Sequence, residues 1–142
     1  MTQTRLFKSL FIMLAFLSFG NAFAQETVTE KVGKFSFESD VIDYGTIEQK
    51  ADGVRTFTFT NTGDAPIVIS NAKGSCGCTV PTYSKNVIKP GETGKIEVKY
   101  DTNRIGKFTK TVTLTSNASE PSKVLRIKGE VVKPGQETAP QS

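Results

Sequence analysis

The chain reads as an all-β protein, an antiparallel β-sandwich of about seven strands, and three observations predict it. Apolar residues recur at every second position, as in Phe57-Thr58-Phe59 and Ile96-Glu97-Val98, the period of a half-buried strand. Turn-forming clusters interrupt that alternation at a spacing of about 8–12 residues, as in sandwiches. Beyond residue 24 no run shows the 3.6-residue apolar period of an amphipathic helix.

Residues 1–24 read as a secretory signal. Arg5 and Lys8 form a positive start, and Leu10 through Phe19 form an apolar run broken only by Ser18. That run is too short to span a bilayer, which takes about 20 residues. Ala22-Phe23-Ala24 is a small-x-small cleavage site, which places the mature start at Gln25. No cysteine follows the apolar run at the cleavage site, so the lipoprotein route is closed, and no stable membrane span is expected after cleavage. The expected location is periplasmic or secreted.

Residues 25–33 are polar and aperiodic and are expected to form a loose leader, and 34–133 to form the folded domain. Phe35 and Phe37 alternate with polar neighbours, and Val41–Ile47 reads as a short strand or corner. Val54–Thr60 places Phe57 and Phe59 on one face. Asn61-Thr62-Gly63-Asp64-Ala65-Pro66 is a turn, in which Gly63 can take positive φ and Pro66 ends the preceding pairing. Ile67–Ser70 then runs toward Cys76-Gly77-Cys78. Pro90-Gly91 suits the centre of a type II turn. Ile96, Val98 and Tyr100 alternate, as do Phe108, Val112 and Leu114. Leu125, Ile127 and Val131 share a face, with Gly129 marking a bulge or a close approach. Phe35, Phe37, Phe57, Phe59 and Phe108 are read as core. Residues 134–142 are Pro/Gln-rich and are expected to be a disordered tail.

Composition removes several function classes. The chain has no His, so His-based nucleophilic catalysis and His-ligated zinc are excluded. The formal charge of +4 falls to +2 when Arg5 and Lys8 leave with the signal. The remaining lysines are interleaved with acids, with no basic run to track a phosphate backbone, so no nucleic-acid partner is expected. Asp40 and Asp43, or Glu92 and Glu97, fall at solvent-facing strand and turn positions. No catalytic residue, cofactor-binding site or cofactor is assigned. Asn117-Ala118-Ser119 matches a glycosylation tripeptide, read as a chance match.

Phe35-Ser36-Phe37, Asp43-Tyr44-Gly45-Thr46-Ile47, Phe57-Thr58-Phe59-Thr60-Asn61-Thr62-Gly63, Ser75-Cys76-Gly77-Cys78-Thr79, Ile88-Lys89-Pro90-Gly91-Glu92 and Ser116-Asn117 occur in one order. That series resembles the DUF1573 family, over about residues 35–131, with the Ser-Cys-Gly-Cys-Thr segment its most specific piece. The resemblance implies an immunoglobulin-like module related to ASH and Hydin-type domains and, more distantly, to major sperm protein and PapD-like sandwiches. It also implies an envelope protein of Gram-negative bacteria and carries no assigned activity.

Cys76 and Cys78 are the one place where the sequence offers chemistry. On a regular strand, side chains two apart sit about 6.5–7 Å from each other, whereas a disulfide needs β-carbons about 3.5–4.5 Å apart. Gly77 can supply the bend. The pair is therefore a disulfide or redox candidate, with packed thiols and intermolecular use also open. As an alternative metal site, two thiolates suit Cu(I), while zinc needs two more ligands. Two functions follow. The first is an exported non-enzymatic module that contacts another envelope protein by a strand edge or a loop. The alternative is a periplasmic thiol redox or Cu(I)-handling protein acting through Cys76 and Cys78.

Overall fold

Alternation along each strand decides which side chains face inward. Phe57 and Phe59 point into the molecule while Thr56, Thr58 and Thr60 point away, and the same division repeats in neighbouring strands. In a computed structural model that describes residues 29–136, this builds two four-stranded sheets. The strands are β1 (Phe35–Phe37), β2 (Val41–Glu48), β3 (Val54–Asn61), β4 (Ile69–Gly74), β5 (Thr79–Tyr83), β6 (Thr93–Tyr100), β7 (Gly106–Ser116) and β8 (Ser122–Val132). One sheet has the order β1-β3-β6-β5 and the other β2-β8-β7-β4. The signal of residues 1–24, the start of the leader and the tail beyond 136 lie outside the described residues.

Among the described residues the architecture is all-β, with eight strands rather than about seven. The additional one is β5, which carries Pro81 and so does not read as a strand. Proline lacks a donor but is tolerated at an edge, where β5 sits. A second difference is that β2 runs parallel to β8, whereas every other pairing between strands is antiparallel. Apolar alternation is the same for either direction, and the chain leaves β2 for the opposite sheet, so no hairpin fixes its sense.

The core between the sheets is Phe57, Phe59, Ile67, Ile96, Val98, Val112, Leu114, Leu125, Ile127 and Val131, each at most 2% exposed. Two aromatic groups close its ends. Phe35 and Phe37 pack on Phe59 with ring centroids 5.0 and 5.1 Å away. At the other end Tyr100 stacks on Phe108 at 3.8 Å and Tyr44 meets Phe108 edge-on at 5.3 Å. The end of the leader is tied in, because Val32 and Gly33 carbonyls accept the Asp64 and Ser119 amides. Gly63 does not take positive φ. It is required instead because a Cβ there would strike the backbone of Val32 and Lys34. Gly129 likewise marks a close approach, with room for Tyr44 and Phe108.

Candidate functional site

The chain crosses from one sheet to the other between β4 and β5, and the two cysteines lie in that corner. Thr79 N–H donates to the Cys76 carbonyl at 3.2 Å, closing a four-residue turn. The turn brings the Cα atoms of Cys76 and Cys78 to 5.2 Å, and the two sulfurs are joined in a disulfide. Gly77 has φ outside the left-handed region, and a Cβ on it would meet nothing within 4 Å. The bend therefore comes from the turn and not from any freedom particular to glycine.

Hydrogen bonds hold this corner independently of the sulfur bond. Ser75 N–H donates to the Thr111 carbonyl at 2.9 Å, and Thr111 N–H donates to Ser75 Oγ at 3.1 Å. Asp101 N–H donates to the Cys78 carbonyl at 2.9 Å. Cys78 is 4% exposed and Cys76 is partly exposed. The sulfurs themselves attract two donors. Cys78 N–H lies 3.3 Å from Cys76 Sγ. The Thr79 hydroxyl, in a residue only 2% exposed, lies 3.7 Å from each sulfur and donates to them, since neither carries a hydrogen. A disulfide spanning so short a loop restricts the unfolded chain little, by about 1.6 kcal/mol on the chain-entropy relation. Among the described residues no group of three or more Cys, Asp or Glu gathers, so two sulfurs would be the whole donor set here for Cu(I), and only once reduced.

A second feature lies on the outer face of the β1-β3-β6-β5 sheet. The loop between β5 and β6 overhangs that face and makes an open trough of about 1160 Å³, whose lining includes Thr56, Thr58, Thr82, Val87, Lys95 and Glu97. Val87 is 51% exposed there.

The carboxylates singled out from sequence take separate structural roles. Asp40 pairs with Lys123 at 3.0 Å, and the bond raises the lysine above its ordinary range. Asp43 accepts the Gly45 amide at 2.8 Å and pairs with Lys128 at 3.4 Å, which lowers its carboxyl. Glu92 accepts the Lys89 amide at 2.8 Å inside the Pro90-Gly91 turn, and Glu97 lines the trough. Asn117 is engaged at both ends of its amide, accepting from Val68 N–H and donating to the Pro66 carbonyl.

Sequence reasoning missed three residues. Thr79 read only as part of the cysteine segment. Asn61 read as a turn residue, yet it is fully buried and makes four hydrogen bonds. Tyr44 donates across the sandwich to the Gly53 carbonyl at 2.8 Å, beneath the Arg55 guanidinium at 4.5 Å. Burial pushes its phenol up to about 12.

The family model described as protein of unknown function (DUF1573) matches residues 35–131, from the first residue of β1 almost to the end of β8. The chain belongs to the DUF1573 family. No curated protein matches this DUF1573 chain in sequence. Among solved structures, a protein of unknown function from Porphyromonas gingivalis W83 is similar at a TM-score of 0.63 and 15% identity, over 69% of this chain and 46% of that one. The chain therefore spans less than half the length of that protein. The ASH/PapD-like domain 7 of human CEP192 is similar at 0.57 and 10% identity, over 72% and 87% of the two chains. The CsuC–CsuE chaperone–tip adhesion subunit pre-assembly complex of Acinetobacter baumannii gives 0.52 and 12% identity, over 69% and 52%. Part of the VesB protease of Vibrio cholerae is also similar, at 0.56 and 18% identity, over 68% of this chain but 31% of that one. At these identities the likeness shows the fold alone: an immunoglobulin-like β-sandwich.

Proposed function

We propose that this DUF1573 chain is an exported, non-enzymatic module of the bacterial cell envelope that holds another envelope protein through a loop and a sheet face. The observation that carries this reading is the state of the sheet edges. A partner strand adds to an edge only where a flat row of backbone groups is free. Here β1 has three residues, and β2 is bulged between Asp43 and Thr46. β4 is bulged between Ile69 and Asn71, with the Ser70 carbonyl already accepting the Tyr83 hydroxyl at 3.0 Å. β5 is interrupted by Pro81.

With every edge guarded in this way, contact falls to the trough and its overhanging loop. Threonine hydroxyls, two lysines, two glutamates and exposed Val87 there suit a mixed polar and apolar protein surface. A non-enzymatic role is supported by Asp40, Asp43 and Glu92, which sit in surface ion pairs and a turn. Export rests on the features of residues 1–24. A chaperone paired with an adhesion subunit, as in the Acinetobacter assembly, supports a holding role for folds of this kind.

A photo-crosslinking residue at Val87, and another at Val41 on the β2 edge, test the reading in intact cells. A protein adduct at Val87 and none at Val41 is expected, with the mature chain starting at Gln25 by N-terminal sequencing. Adducts at Val41 alone would transfer the contact to the edge. A monomer without adducts at either position would remove the binding role.

A further inference from the structure

We propose that the Cys76–Cys78 disulfide is a thiol–disulfide exchange site, for which a dithiol protein is the reaction partner and Thr79 the positioning residue. This goes beyond the holding role and does not depend on it.

Three observations converge. First, the bond closes a loop of sequence separation 2, too short to be a strong staple, while the backbone of the corner is held by hydrogen bonds from Ser75, Thr79, Asp101 and Thr111 that do not involve sulfur as acceptor. Reduction is therefore a local event that leaves the sulfurs close enough to rejoin. Second, the two sulfurs differ in access. Cys76 is partly exposed and can be reached by an incoming thiolate, whereas Cys78 is buried and faces the interior. Third, among the described residues the hydrogen bonds of the buried Thr79 hydroxyl go to these sulfurs. Disulfide sulfur is a poor acceptor and a thiolate a strong one, so the donor is better matched to the reduced or reacting pair.

The exchange follows from that arrangement. A thiolate of the partner attacks Cys76 Sγ, forming a mixed disulfide as the Cys76–Cys78 bond breaks. The electron pair goes to Cys78 Sγ, which accepts the Thr79 hydroxyl hydrogen bond and then a proton from solvent. The partner's second thiol loses its proton and attacks its own first sulfur. Cys76 then leaves as a thiolate and is protonated. This chain gains two electrons and two protons, and the partner dithiol is oxidised to a disulfide. Run in reverse, the same steps reoxidise Cys76 and Cys78.

The test equilibrates the mature chain in graded mixtures of reduced and oxidised glutathione, two glutathione thiols replacing the partner's two. The dithiol fraction is read by alkylation and mass, and folding is monitored by thermal melting. Half-reduction of a still-folded wild type is expected within the glutathione range, with the trapped mixed disulfide on Cys76. Thr79→Val should require about a tenfold more reducing mixture, by loss of one hydrogen bond to sulfur, and Thr79→Ser should titrate like wild type. A bond that resists the whole range, that yields only on unfolding, or that titrates identically in folded Thr79→Val overturns the proposal. Mixed disulfide on Cys78 in place of Cys76 overturns the order of attack.

Discussion

One carboxamide at Asn61 serves four backbone groups. Its oxygen accepts the Lys34 and Gly63 amides, and its nitrogen donates to the Ala65 and Ile88 carbonyls, all at 2.9–3.1 Å. Asn61→Leu keeps the volume and strands these groups, apart from the Ile88 carbonyl, which retains the Ile67 amide. A loss of about 3 kcal/mol or more is expected in urea unfolding, since each stranded group costs about 1–3 kcal/mol. The neighbouring Gly63→Ala drives a Cβ into backbone at Val32 and Lys34, and overpacking of that kind costs about 1–3 kcal/mol. Tyr44 gives a pH signature. Its phenol titrates at about 12 when folded because burial opposes the phenolate, while the unfolded chain ionises near the ordinary value of about 10. The stability it supplies is complete below pH 10 and is lost as pH rises toward 12. Melting temperature should therefore fall more steeply over that window in wild type than in Tyr44→Phe, a comparison in which the lysines cancel.

Within a single strand, β3 separates what sequence reveals from what it hides. The alternation Phe57-Thr58-Phe59 fixed the inward face, and both rings are at most 2% exposed. Phe57→Ala or Phe59→Ala should each cost about 3–5 kcal/mol, and Thr58→Ala less than about 1 kcal/mol, measured as shifts in denaturant midpoint at constant slope. Equal losses at Thr58 and Phe57 would mean the faces are exchanged. Alternation reports burial on one face, and so it revealed most strands and the five phenylalanines. It is blind to the direction of the neighbouring strand, which is why the parallel β2–β8 pair was illegible. Pro81 masked β5, because an edge position excuses proline only once the sheet order is known. The cysteine pair was visible as a candidate, but the donor from Thr79 was not. Its contact depends on a turn whose geometry no residue type in Ser75–Thr79 uniquely demands. Asn61 was hidden for a similar reason: the side chain that reads as turn-forming also reaches Ile88, 27 residues away.

For the molecule as a whole, the question is what keeps two thin sheets together, and the answer bears on the meaning of the sulfur bond. Packing spans the entire sandwich, from the Phe35–Phe37–Phe59 group at one end to Tyr44–Tyr100–Phe108 at the other, with aliphatic side chains between. The disulfide acts at one corner only. In small secreted domains, removing a native disulfide typically costs about 2–5 kcal/mol, because the bond closes a long loop. Here the loop is Cys76-Gly77-Cys78, for which the same relation gives about 1.6 kcal/mol. The double substitution Cys76→Ala with Cys78→Ala should therefore leave a cooperatively folding domain, less stable by no more than about 2 kcal/mol. For a domain near 100 residues each 1 kcal/mol corresponds to about 4–8 °C in Tm. Calorimetry of the double variant against oxidised wild type measures it. A larger drop, or loss of the cooperative transition, would make the corner a staple on which the sandwich depends. A drop within the expected range leaves the fold to its core and frees the sulfur pair for chemistry.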